Sequence, residues 1–286
     1  MSPCVSLVVI SYEMERELPR TLLSLAPRYQ GCAADDCEII VVDNASRRPP
    51  RAQDFAALEA NLHVFSCSTP SPSPVTAINE GLARARAELI GIWIDGARMA
   101  SPGLVKACLA ASALHARPVV ATLNYQLGPD VQRKSSERGY DQTVEDGLLA
   151  SINWPQDGYR LFDIATPEMR GGPAGAMLES NALFLPRALW DELGGYDAHF
   201  SEPGGSVVNP DTLIRAVGLP GAQLIRVLGE GTFHQIHGGL STSTQTRAMN
   251  MLKEGSRAYL RLRGKPLMPV RETGWMYHAR TGEVTR

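Results

Sequence analysis

This sequence lacks a basic excess. Its 28 Lys+Arg stand against 30 Asp+Glu, for a net charge of -2. A dedicated nucleic-acid binder carries a clustered basic surplus, so nucleic acid is not the expected partner. A nucleotide ligand stays open, because one diphosphate needs only a few local donors. Long apolar runs are lacking too. The start of the chain has no basic leader, and its apolar run over 5–10 is too short for a secretory signal or a membrane span. A cytoplasmic protein with no transmembrane segment is expected. A disulfide framework is also missing. Cys4, Cys32, Cys37, Cys67 and Cys108 are odd in number and spread through the first half, which points to a reducing compartment. Cys32 and Cys37 have no second pair and no histidine nearby, so no zinc site is expected there. There are no internal repeats.

What is present is a chain of 286 residues, 44% hydrophobic, enough for a real core in one large α/β domain. Short β-branched runs alternate with helical spacing. Strands are predicted over 5–10, 38–42, 62–66, 89–94 and 118–123. Helices are predicted over 17–25, 54–59, 75–86 and 102–115. The second half is less regular: helices over 142–151, 186–193, 210–217 and 244–263, strands over 181–185 and 223–228, and an irregular tail. Gly194-Gly195 ends a helix. Such alternation implies a mostly parallel sheet flanked by helices. Ligands then bind beyond the carboxyl ends of the strands. Ser11, Tyr12, Glu13, Asp43, Asn44 and Asp95 follow or close strands and are the first residues to consider.

Five segments, in order and spacing, resemble glycosyltransferase family 2. They are Val5-Ser-Leu-Val-Val-Ile-Ser-Tyr-Glu13, Glu38-Ile-Ile-Val-Val-Asp-Asn-Ala-Ser46, Ala77-Ile-Asn-Glu-Gly-Leu82, Ile92-Trp-Ile-Asp-Gly-Ala97 and Leu193-Gly-Gly-Tyr-Asp-Ala-His-Phe200. The resemblance implies a GT-A (Rossmann-like) fold. It implies a single domain over 1–240, with a nucleotide-binding half to about 124 and an acceptor half from about 125, then a C-terminal helix and tail over 241–286. It implies a nucleotide site from Ser11, Tyr12, Glu13, Asp43, Asn79, Asp95 and Arg98. Asp43 would hold the base, or merely cap a turn with Ser46. Tyr12 would stack near the base, or pack in the core.

Asp95 sits where the family keeps the first acid of Asp-x-Asp, a ligand for Mn2+ or Mg2+ on a diphosphate. The second acid is replaced by Ala97. Arg98 could neutralise phosphate charge directly. His234 and His237, in a glycine-flanked loop ending at Gly238-Gly239, are the replacement ligands. On a strand, i,i+3 spacing faces them oppositely, so one of them is expected to bind, and His234 is favoured. Imidazole suits manganese better than magnesium. By resemblance the transfer is inverting and needs a base. The aligned Glu-Asp pair is here Val208-Asn209, and an amide takes no proton at neutral pH. Asp211 and Glu179 are the candidate bases. Asp197 reads as a turn residue and 171–175 as a flexible loop over the acceptor. Buried packing is expected for Tyr140, Trp154 and Tyr159.

The expected activity moves a sugar from a nucleoside diphosphate sugar, UDP-linked, to a hydroxyl acceptor. A nucleotide-sugar-binding protein without catalysis is the alternative, on the evidence of Ala97 and Asn209. A nucleotidyltransferase would carry a glycine-rich basic loop after the first strand, where this chain has Ser-Tyr-Glu-Met-Glu-Arg.

Overall fold

The computed structural model describes residues 2–169, 171–237 and 245–286. Its strands are β1 (Val5–Ser11), β2 (Cys37–Asp43), β3 (Asn61–Ser66), β4 (Leu89–Trp93), β5 (Arg98–Ala100), β6 (Pro118–Leu127), β7 (Ala165–Pro167), β8 (Leu183–Pro186), β9 (Gln223–His234), β10 (Trp275–His278) and β11 (Val284–Thr285). Its helices are α1 (Glu17–Leu25), α2 (Pro27–Gln30), α3 (Val75–Arg84), α4 (Leu104–Ser112), α5 (Gln132–Glu137), α6 (Gln142–Ser151), α7 (Arg187–Leu193), α8 (Val208–Val217) and α9 (Gln245–Arg263). One sheet runs in the order β11-β10-β9-β6-β8-β4-β1-β2-β3, with β5 and β7 attached to β9 and β6. Along that path only β8 and β11 run against the rest.

The period-two alternation of side chains explains why β1 and β2 are apolar at every other position on both faces. Val8, Ile10, Ile40 and Val42 point to one side and meet Ile78 and Leu82 of α3 and Trp190 of α7. Leu7, Val9, Ile39 and Val41 point to the other and meet Leu18, Leu22 and Leu25 of α1 and Val105 of α4. All seven residues of each strand are buried. Full burial of one such side chain contributes about 1.5–3 kcal/mol, so two covered faces hold the parallel half without disulfides. The five cysteines are free thiols.

Two sequence expectations need correction. The strand expected to stop at 228 continues to His234. The register of β6 with β9 shifts between Ala121, which pairs Arg226, and Leu123, which pairs Gly231. Gly229 takes φ 83 in that irregularity, a value that favours glycine. The glycines there read as a loop, but they absorb a bulge inside a strand. The tail is not irregular either. β10 lies parallel to β9 and β11 pairs back on β10, so the residues after α9 complete the sheet. The expected division near residue 240 falls outside the described residues. No helix among those described is long and apolar enough to cross a membrane.

Candidate active site

Asp95 lies just beyond the carboxyl end of β4, two residues past Trp93. Its Oδ1 accepts from Ala97 N at 3.0 Å and its Oδ2 from Arg98 Nε at 2.9 Å. A side chain on Gly96, between them, would press on its neighbours. A Cβ there would lie 3.2 Å or less from Ile10 O, Met14 Sδ and Leu18 Cδ1. Ala97 is fully buried against the α1 side of the core, so the second acid of the family pattern has been traded for packing.

His234 and His237 both lie beside Asp95. The expectation that only one of them could reach the site fails because β9 ends at His234. Residues 235–237 are then strapped back toward α1 and α6. Gln235 N donates to Ala97 O, Gln235 Nε2 to Glu17 O, and Ile236 N to Glu145 Oε2. Arg16 Nη1 donates to Ile236 O. One donor atom from each of Asp95, His234 and His237 lies within 4.8 Å of the others. Burial, with Arg98 adding to it, pushes the His234 imidazole well below its ordinary range, and burial lowers His237 as well. Both rings are therefore neutral at pH 7, the form that ligates a cation. Burial opposes the Asp95 charge, but Arg98 and the two imidazoles together outweigh it and hold the carboxyl far below its usual value. One carboxylate and two neutral imidazoles fit a divalent first-row cation, manganese better than magnesium. Gly238-Gly239 lie outside the described residues.

Arg98 is only 7% exposed. Its Nη1 is buried and has no hydrogen-bond partner among the described residues. A buried donor left unpaired costs about 1–3 kcal/mol, which an anionic oxygen would remove. Burial works against its charge, and Asp95, Glu179 and Glu168 more than offset that.

Glu179 is within electrostatic reach of Arg98, Glu168 and Asp95, and burial raises its pKa above the ordinary carboxylate value. Its Oε2 accepts from Asn209 Nδ2 at 3.1 Å. Asn209 also donates to Asn181 and accepts from Tyr196 Oη. The amide at the family's base position thus holds a carboxylate from another segment.

Asp211 does not join this group. It is fully buried, and its oxygens accept from Arg215 at 2.7 Å and from Arg263 at 2.6 and 2.8 Å. It ties α8 to α9 and offers no oxygen to a substrate. Arg263 also reaches Asp197, which caps its own turn toward His199. Asp211→Ala should destabilise the fold by about 3 kcal/mol, because it strands two arginines at a buried site. Thermal unfolding reads that loss, and activity per folded molecule should stay near wild type.

Asn79 is engaged within the fold. Its amide donates to Tyr196 O and accepts from Tyr196 N, both at 2.9 Å. It clamps α3 to the Gly194-Gly195 turn, and a Cβ on Gly195 (φ +67) would lie 2.6 Å from Asn79 Oδ1. These bonds use the amide oxygen and one of its two N–H groups.

At the ends of β1 and β2 a groove of about 470 Å³ is lined by residues including Ser11, Met14, Glu15, Ser46, Arg48 and Arg51. Met14 and Leu18 join it to the Gly96 turn. Asp43 does not line it. It is 2% exposed and accepts from Ser46 N at 2.9 Å and Ser46 Oγ at 2.6 Å, the turn-capping alternative. Glu13 is a turn residue as well. Its N donates to Ser46 Oγ and its Oε1 accepts from Arg47 N, which fastens the β1 turn to the β2 turn. Tyr12 beside it is 57% exposed, so core packing is ruled out for that ring. Tyr140 is buried as expected, whereas Tyr159 is partly exposed and donates to Glu230. The 171–175 loop is held by the buried Arg226, which donates to Pro173 O and Gly175 O.

No curated protein matches this chain. Solved structures do. TarS of S. aureus, solved also in complex with UDP-GlcNAc, superposes with a TM-score of 0.53 at 16% identity over 91% of this chain. This chain spans 66% of that one. The mannosyltransferase PcManGT from Pyrobaculum calidifontis, in complex with GDP-Man and Mn2+, superposes with a TM-score of 0.52 at 16% identity over 93% of this chain and 66% of its own. A mycobacterial protein gives 0.52 at 16% identity over 92% of this chain and 76% of its own. At such identity the likeness speaks for the fold, a GT-A α/β architecture. The sequence model of glycosyl transferase family 2 matches residues 6–177, more than half of the chain. By that match the chain belongs to glycosyl transferase family 2.

Proposed function

We propose that the chain is a metal-assisted glycosyltransferase. It moves a sugar from a nucleoside diphosphate sugar, UDP-linked, to a hydroxyl acceptor with inversion at the anomeric carbon. The observation that carries this reading is the convergence of Asp95, His234 and His237 beside the unpaired Nη1 of Arg98. The nucleoside lies in the groove past β1 and β2, with Tyr12 stacked on the base and Ser46 and Arg48 along its wall. Arg98 donates to a phosphate oxygen. Asp95, His234 and His237 would hold Mn2+ or Mg2+, which when bound would supply charge neutralisation for the departing diphosphate.

Glu179 takes the proton of the acceptor hydroxyl as its oxygen attacks the anomeric carbon. A carboxylate with a raised pKa is the better base near neutral pH, and Asn209 keeps it aimed. This arrangement answers both missing acids. The histidines stand in for position 97, and Glu179 acts from beside position 209.

UDP release from UDP-sugars in the presence of Mn2+ and a panel of hydroxyl acceptors tests the reading. Turnover that stops on chelation supports it. UDP binding with neither transfer nor hydrolysis would favour a binding protein without catalysis. Tyr12→Ala should raise the donor KM about tenfold with little change in kcat, since stacking on a base is worth about 1–3 kcal/mol. Initial rates against donor concentration read both constants.

A further inference from the structure

The sheet register sets a polar row across four strands. Arg98 of β5 and Gln126 of β6 are both register partners of His234 on β9. Thr166 of β7 is the partner of Gln126 on its other side, and two residues on stands Glu168. Neither Gln126 nor Glu168 is marked by any motif.

Their hydrogen bonds form a chain. Gln126 Nε2 donates to Glu168 Oε2 at 2.6 Å, and Gln126 Oε1 lies 3.2 Å from His234 Nδ1. The first contact decides the second. An ionised carboxylate only accepts, so the amide nitrogen must face Glu168 and the amide oxygen must face His234. That oxygen only accepts as well, so His234 Nδ1 carries the proton. A neutral imidazole has one N–H, which leaves the lone pair on Nε2. Nε2 is the atom 3.1 Å from His237 Nε2 and 4.0 Å from Asp95 Oδ1. The ring is thereby held in the one tautomer that can ligate at that point.

We propose that Glu168 and Gln126 are positioning residues that fix the tautomer and ring orientation of His234 and so present its Nε2 lone pair to the cation. The proposal rests on the metal reading given above. Gln126 is 7% exposed and His234 4%, so water competes poorly for the Nδ1 proton. Neither Gln126 nor Glu168 touches the reacting atoms. Each acts through the next group, as the outer partners of metal-ligating histidines generally do.

Two readouts test this on the full chain. Nitrogen-15 NMR of histidine-labelled, cation-free protein reads the His234 tautomer, with His234→Ala to assign the signal. Mn2+ titration followed by electron paramagnetic resonance reads affinity. Wild type should show protonated Nδ1. Gln126→Leu should lose that single tautomer and weaken Mn2+ binding by about 10–100-fold. Glu168→Leu frees the amide to turn over and should move both readouts the same way. Glu168→Gln can donate as well as accept, so it no longer dictates the Gln126 amide and should lose part of the single-tautomer signal while the packing is kept. A purely structural role would leave the tautomer signal in place in folded variants. Gln126→Leu with an unchanged tautomer and unchanged Mn2+ affinity would overturn the proposal. Wild type that takes up no Mn2+, with the tautomer still lost in Gln126→Leu, would sink the metal reading and leave the relay standing.

Discussion

Asp95→Asn should lower kcat/KM for sugar transfer by about 10³-fold, roughly 4 kcal/mol of transition-state stabilisation. The substitution removes the only charged donor of the Asp95–His234–His237 group while keeping its shape. It also removes the countercharge of Arg98, whose Nε bonds Asp95 Oδ2. Arg98 would then pair with donor phosphate in the ground state. Donor binding should therefore survive while kcat collapses. Steady-state kinetics with Mn2+ separate the two constants, and circular dichroism establishes that the variant is folded. His237→Ala provides a second arm, because it leaves the Asp95–Arg98 pair intact. It should weaken Mn2+ binding and shift the metal concentration needed for half-maximal rate upward. A folded Asp95→Asn enzyme with wild-type kcat would remove Asp95 from the chemistry.

Glu179→Gln should lower kcat by about 10²–10⁴-fold with donor KM nearly unchanged, since a general base acts on the acceptor proton and not on donor binding. The sign of the pH dependence follows from the raised pKa of Glu179. A base works only when deprotonated, so the rate falls as pH drops through that pKa. The acidic limb should sit above the range of an ordinary carboxylate, and Glu179→Gln should flatten it. Asn209→Leu gives a finer check. The Asn209 amide favours the charged carboxylate, so its loss should move the acidic limb to higher pH. A limb unmoved in both variants would assign the base elsewhere.

Much of the fold was legible in the sequence because the local patterns agree with the tertiary demands. The periodicity of 17–25 predicts α1, and the helix expected near 142–151 is α6. The apolar β-branched runs predict β1, β2 and β4 because both of their faces are covered, and the polar Ser6 and Glu38 inside them are buried and bond each other. The misses share a cause. β5 is three residues long, and β10 lacks alternation because all four of its residues are half-buried. Both form by pairing with β9, a partner far away in the chain. The extension of β9 past Gly229 was hidden for the same reason: glycine reads locally as a break, and only the register with β6 shows the strand continuing.

The candidate site was legible in position where residues follow a strand end: Asp95 and Arg98 lie together beyond β4 and Tyr12 is exposed beyond β1. It was not legible where the partner decides. Asp211 and Asn79 have the right chemistry at suggestive positions, but Arg215, Arg263 and the Tyr196 backbone claim them. Asp43 caps its turn through Ser46, a bond that leaves other acceptor sites on the carboxylate. His237 was set aside on strand geometry that no longer applies once the strand ends at His234. Glu179 and Asn209 are far apart in sequence and form a pair only in the folded chain. Among acids of equal chemistry, spacing cannot tell the one that is free from the one already paired.

The central claim is that Asp95, His234 and His237 together hold a divalent cation on the donor diphosphate. A crystal grown with UDP and Mn2+, with anomalous data collected at the manganese edge, tests it most directly. The account predicts one manganese peak in contact with all three residues and a phosphate oxygen on Arg98 Nη1. A diphosphate bound through Arg98 with no manganese peak, or with manganese away from Asp95 and the two histidines, would contradict it.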